Sequence, residues 1–167
     1  HHFLHQDFER FRARLKQETD LLHDWVEGGR FDGSPPMAGL ELEAWLIHPD
    51  GTPAPRNEEY LRFVDRADVV HELARFNVEI NAPPQSVTDA GLARLHADLG
   101  DTWSQCRAKA QTLGLDLVSI GILPTLKDSD LCPGNMSDSE RYRALNEQVL
   151  RQRHGRHGRQ GNQGTGR

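Results

Sequence analysis

Two glutamates separated by a single residue, Glu41 and Glu43, carry the first sign of chemistry in this chain. They lie in Gly39-Leu40-Glu41-Leu42-Glu43-Ala44-Trp45-Leu46-Ile47, an alternating run that predicts a strand. Side chains alternate across a strand, so Leu40, Leu42, Ala44 and Leu46 share one face and Glu41, Glu43 and Trp45 the other. The two carboxylates then stand roughly 6.6–7 Å apart along the strand, from a rise of about 3.3–3.4 Å per residue. That gap is too wide for one shared proton. It suits separate ligation of one or two hard cations above the sheet.

A second alternating run, Phe76-Asn77-Val78-Glu79-Ile80-Asn81, repeats the arrangement and predicts a strand cut off by Pro83-Pro84. Phe76, Val78 and Ile80 point one way, and Asn77, Glu79 and Asn81 the other. With both apolar faces in one core, Glu41, Glu43 and Glu79 converge. Three carboxylates in a partly buried cleft repel one another unless a cation lies between them. Magnesium takes one or two of them and keeps its other positions for water and substrate phosphates. An isolated Glu-x-Glu is ordinarily a solvated face. The repeat in the second run argues against that here, as does Trp45 on the polar side.

The positioning elements follow from periodicity. Residues 3–27 predict an amphipathic helix with Leu4, Phe8, Phe11, Leu15, Leu22 and Val26 on one face. Residues 58–74 predict a second helix, with Leu61, Val64, Val69 and Leu73 inward. Residues 88–113 predict a third, capped by Ser86 or Thr88, and 115–123 a third strand closed by Pro124. Residues 124–136 predict an irregular loop. Ser137-Asp138-Ser139-Glu140 has the form of a capping box opening a last helix that carries Tyr142, Leu145 and Val149. Strands alternating with helices suggest, on pattern alone, parallel βαβ units.

Taken in order, these segments resemble a known family, the second type of glutamate–cysteine ligase. Gly39-Leu40-Glu41-Leu42-Glu43 resembles its G-x-E-x-E strand, and Val78-Glu79-Ile80-Asn81-Ala82-Pro83-Pro84 its second acidic strand. Gly114 to Pro124 resembles the glycine-bearing strand that follows. Ser139-Glu140-Arg141-Tyr142-Arg143-Ala144-Leu145 resembles its R-Y-x-x-L helix start. The likeness implies an α+β, glutamine-synthetase-like catalytic fold with a mixed or antiparallel sheet and flanking helices, present here in part.

It also implies ATP-dependent joining of the glutamate γ-carboxylate to the amine of cysteine or another amine, with magnesium or manganese. On this likeness Glu41, Glu43 and Glu79 are the metal and nucleotide carboxylates, and Asn81 is a partner to them. Arg141 and Arg143 contact a substrate carboxylate or phosphate, since a guanidinium forks onto either. For the two arginines the ordinary alternative is a solvated charge at a helix start.

The likeness spans residues 3–153, which imply the front part of a ligase catalytic domain. Residues 154–167 form a glycine- and arginine-rich stretch that predicts disorder. A fragment of that kind leaves a second function open, a non-catalytic binding or interaction module.

Composition excludes other classes. The net charge of −5 hides a body, residues 1–150, with 15 basic against 25 acidic side chains. Such a body repels phosphate backbones, so nucleic acid is not the expected partner. Two cysteines, Cys106 and Cys132, make neither a disulfide framework nor a zinc site. No membrane span or secretion signal is visible, which makes the cytoplasm the expected location. There is no phosphate-cradling glycine loop and no nucleophile elbow.

Overall fold

The structure, a computed structural model, describes residues 3–31, 33 and 35–157, with side chains as far as residue 153. In chain order the elements are α1 (His5–Glu27), β1 (Met37–Ile47), α2 (Asn57–Val64), β2 (Val69–His71), β3 (Asn77–Ser86), α3 (Gly91–Thr112), β4 (Asp116–Val118) and α4 (Glu140–His157). Short 3-10 turns occupy Asp128–Asp130 and Pro133–Asn135. The chain divides into two compact units. Pro35–Ser137 forms a sheet unit, and the residues before and after it form a helical unit.

The sheet unit is a four-stranded sheet in the order β2-β3-β1-β4, with every pair antiparallel. The parallel βαβ expectation is therefore corrected, and the antiparallel alternative holds. Its core joins Ala44 and Leu46 of β1, Val78 and Ile80 of β3 and Leu117 of β4 to Tyr60, Cys106 and Ala110 from α2 and α3. Each fully buried large aliphatic here, Leu46 or Ile80 for instance, contributes roughly 1.5–3 kcal/mol. Tyr60 brings a hydroxyl into this apolar layer and donates it to the Cys106 carbonyl at 3.0 Å. Burial, the leading cause, raises its pKa far above the usual phenol range.

Several boundaries differ from the periodicity. The helix expected over 58–74 ends at Val64, where Asp65 adopts a left-handed conformation with φ of 51°. Beyond it Val69 and Val70 pair with Ile80 and Glu79 as a strand, which suits β-branched side chains. β3 runs past Pro83-Pro84 to Ser86 because the register shifts there, between Ala38 and Leu40 of the partner strand. Prolines sit comfortably at such a bulge, where a ladder donor is not needed. Gly39 faces it, and a β-carbon on Gly39 would come 3.4 Å from the Ala82 carbonyl.

α3 begins at Gly91 with no side-chain cap; Ser86 and Thr88 bond to each other at 2.7 Å instead. The strand expected over 115–123 is ordered as β4 for three residues only. Leu73, expected inward, is exposed, and so is Leu92 of α3. Phe76 lies just before β3, and its ring stacks on Trp45 at 5.3 Å. Among the described residues no helix is long and apolar enough to cross a membrane.

In the helical unit, α1 has the expected period but buries none of its residues. Phe8 and Phe11 line a groove with Ala144 and Leu145 of α4, yet Phe11 remains 66% exposed. Leu145 and Val149 are exposed as well, and among the described side chains of α4 Ala144 is the buried one. The α4 backbone continues to His157, past the expected boundary at Arg153. Residues 158–167, the remainder of the segment expected to be disordered, lie outside the described residues.

Candidate functional site

The β1–β3 register decides where the acidic side chains meet. Glu43 lies directly opposite Glu79, and Glu41 opposite Asn81. Residues opposite each other in an antiparallel pair project from the same face. Ala44 and Leu46 occupy the buried core, so the two carboxylates stand on the other face of the sheet. Trp45 shares that face, stacks on Phe76, and donates its indole N–H to the Ile120 carbonyl at 3.0 Å. That bond ties the segment after β4 beside the acidic strand.

Like charges directly opposite each other destabilise a sheet. A third carboxylate, Glu72, adds to the crowding. Glu43, Glu72 and Glu79 each bring a carboxylate oxygen to within 4.8 Å of the others. Glu72 is half-buried, and burial is the first cause that lifts its pKa above the usual carboxylate range. A hydrogen bond with Glu79 and the charges of Glu43 and Glu79 push the same way, against a bond from the Leu73 N–H.

Glu72 is held by its backbone. Its carbonyl accepts the Ser137 hydroxyl, and Ser137 in turn accepts the Asn57 side-chain amide at 2.9 Å. Ser137 and Asn57 are both buried. The capping box expected at Ser137 is therefore corrected: this hydroxyl closes the loop after β2, and the Ser139 carbonyl begins the first turn of α4. The cause is burial, since a hydroxyl removed from water takes the partner inside the core.

Of the residues singled out in the sequence, Glu43 and Glu79 are thus brought together. Asn81 donates its amide to a Glu79 oxygen at 2.8 Å and fixes that carboxylate's orientation. Glu41 stands two residues earlier in β1 than Glu43. With Asp68 and Asn81 it lines an open cavity of about 850 Å³. Asp68 is already forked by Arg66 at 2.9 and 2.6 Å.

Arg141 and Arg143 belong to the first turns of α4, in the helical unit. Arg141 lines the groove beside α1, and Arg143 is bonded to Asp138. Glu72 was missed because residues 58–74 read as one helix. The signal available was the β-branched pair Val69-Val70 two residues before it.

The chemistry of this donor set fits a hard divalent cation: three carboxylate oxygens, no nitrogen or sulfur, and an open side for water and phosphate. Burial leads the upward shift of the Glu72 pKa, and the charges of Glu43 and Glu79, which a cation would offset, add to it. A second trio, His23, Asp24 and Glu27 on α1, is fully exposed along one helix turn and has no such enclosure.

An antiparallel sheet backed by helices, with carboxylates gathered on its open face, defines an α+β domain built around an acidic sheet surface. The chain belongs to glutamate-cysteine ligase family 2, whose sequence profile matches residues 37–163, from the first residue of β1 to beyond α4. The family is one of ligase-type enzymes. No curated protein and no solved structure matches the chain.

Proposed function

We propose that the sheet unit holds a metal–nucleotide complex for ligation of the glutamate γ-carboxylate to an amine, with cysteine as the default acceptor. The observation that carries this reading is the convergence of Glu43, Glu72 and Glu79 within 4.8 Å, in a chain of this family. In this reading the sheet and its helices are part of a glutamine-synthetase-like catalytic fold.

The reaction has two steps. A glutamate γ-carboxylate oxygen attacks the γ-phosphorus of ATP, the bond to the bridging oxygen breaks, and ADP departs. The amine nitrogen then attacks the acyl carbon of γ-glutamyl phosphate, phosphate leaves with the C–O electron pair, and the amide nitrogen loses its proton. Magnesium or manganese, when bound, supplies charge neutralisation for the phosphate oxygens. The protein's part is positional. Glu43, Glu72 and Glu79 would hold the cation, and Asn81 keeps Glu79 turned toward it. Glu41 extends the acidic surface into the adjoining cavity. Arg141 and Arg143 are the proposed contacts for a substrate carboxylate or phosphate.

ADP release in the presence of glutamate, cysteine and Mg-ATP tests the reading. Release that needs both substrates, and that falls at least ~100-fold in Glu43→Gln, is the expected result. Mg-ATP binding with no ADP release would make the chain a non-catalytic binding module. Absence of binding would contradict both.

A further inference from the structure

We infer that Asn57 is the positioning residue of the acidic site, the clasp that holds Glu72 against Glu79. The inference rests on the proposed cation reading of Glu43, Glu72 and Glu79 and adds what keeps that trio together. Glu72 and Glu79 belong to one hairpin, the first just after β2 and the second on β3. Ionised together, they repel, so the turn between them needs an outside hold.

Every backbone carbonyl from Glu72 to Asn77 accepts a hydrogen bond. Ser137 takes the first two, through its hydroxyl to Glu72 and its N–H to Leu73 at 2.9 Å. The Leu46 N–H takes Phe76 at 2.8 Å. Asn57 takes the others. Its side-chain amide donates to the Ala74 carbonyl at 3.3 Å and to the Asn77 carbonyl at 3.2 Å. Its backbone N–H donates to the Arg75 carbonyl at 2.9 Å. The same side-chain amide donates to the Ser137 hydroxyl at 2.9 Å, so the bond that fixes Glu72 is anchored on Asn57 too.

These acceptors set the amide's orientation, since turning it over would aim its oxygen at all of them. Asn57 is fully buried, and that oxygen meets no donor among the described residues. A buried acceptor without a partner costs stability. A side chain retained on those terms serves to place the turn, not to strengthen the core.

Mn²⁺ binding by electron paramagnetic resonance, on the full chain well below its melting range, tests the role. Asn57→Ala is expected to weaken binding at least ~10-fold, the scale of losing a group that orients a metal ligand. Val64→Ala, which opens a cavity in the core from the same helix, controls for lost stability and should bind as wild type does. Hydrogen exchange in the metal-free protein gives a readout independent of the ion. The Arg75 and Asn77 amides should exchange at least ~10-fold faster in Asn57→Ala than in Val64→Ala. Should Asn57→Ala not fold, Asn57→Ser, which keeps one donor, enters the same comparison.

Wild-type affinity in the Asn57 variant, equal weakening by Val64→Ala, or a turn that exchanges no faster would overturn the role of Asn57 and leave the cation reading standing. Absence of Mn²⁺ binding by wild type would overturn both.

Discussion

Replacing Glu72 with glutamine should stabilise the metal-free protein at neutral pH while removing its response to magnesium. The carboxylates of Glu43 and Glu79 lie within 4.8 Å of Glu72, and one unit-charge pair at that distance costs about 0.9 kcal/mol at the dielectric constant of water. Glu43 is exposed, so the water value is the appropriate scale. Two neighbours give about 1–2 kcal/mol in all, or roughly 2–8 °C in Tm for a chain of this size. Glutamine keeps the acceptor for the Leu73 N–H and offers an amide to Glu79, so no bond is lost on exchange.

The sign with pH follows from the raised pKa of Glu72. The folded state binds its proton more tightly than the unfolded state, so this contribution falls as pH rises from the unfolded to the folded value. The gain from Glu72→Gln should therefore be largest above that window and vanish below it. Carboxylates held below the usual range, Asp68 by Arg66 and Asp116 by Arg107, act in the opposite sense. They are common to both proteins and cancel in the difference. Thermal unfolding from pH 4 to 8, with and without millimolar magnesium, measures all of this. A metal-free Glu72→Gln that is less stable than wild type at pH 7, or equally responsive to magnesium, would refute the reasoning.

Three other substitutions probe how the site is positioned. Gly91→Ala should be severely destabilising, by about 3 kcal/mol or more, because its β-carbon would fall 1.6 Å from the Ser86 carbonyl oxygen. Denaturant unfolding would show it as a lowered midpoint, and a midpoint like wild type would mean that α3 does not start against β3. Trp45→Phe keeps a ring on Phe76 but loses the bond to Ile120, costing about 1 kcal/mol. Hydrogen exchange should quicken in residues 119–123 while that of β3 stays slow. Ser137→Ala removes the hydroxyl between Asn57 and the Glu72 carbonyl and should cost about 1–3 kcal/mol. It should also weaken magnesium binding, which a purely global loss of stability would leave unchanged below the melting range.

The acidic strands were legible because alternation is a local property. Glu41, Glu43, Glu79 and Asn81 fall on one face through a period of two, and the register then needs only the paired apolar residues Ala44 with Val78 and Leu42 with Ile80. Strand direction was not legible from pattern, since a strand–helix–strand succession fits parallel and antiparallel returns alike. The resemblance supplied it. Glu72 escaped because a left-handed aspartate, Asp65, ends α2 where apolar spacing would have carried the helix on. Ser137 escaped for a related reason. Its spacing to Glu140 fits a capping box, and only the tertiary path shows that the hydroxyl turns toward Asn57.

A titration of the wild-type chain with Mn²⁺, followed by electron paramagnetic resonance, addresses the shared carboxylate cluster without needing turnover. One saturable site that Mg²⁺ displaces, and that disappears in the Glu43→Gln, Glu79→Gln double variant, is the predicted result. Equal Mn²⁺ uptake by the double variant, or none by wild type, would contradict it.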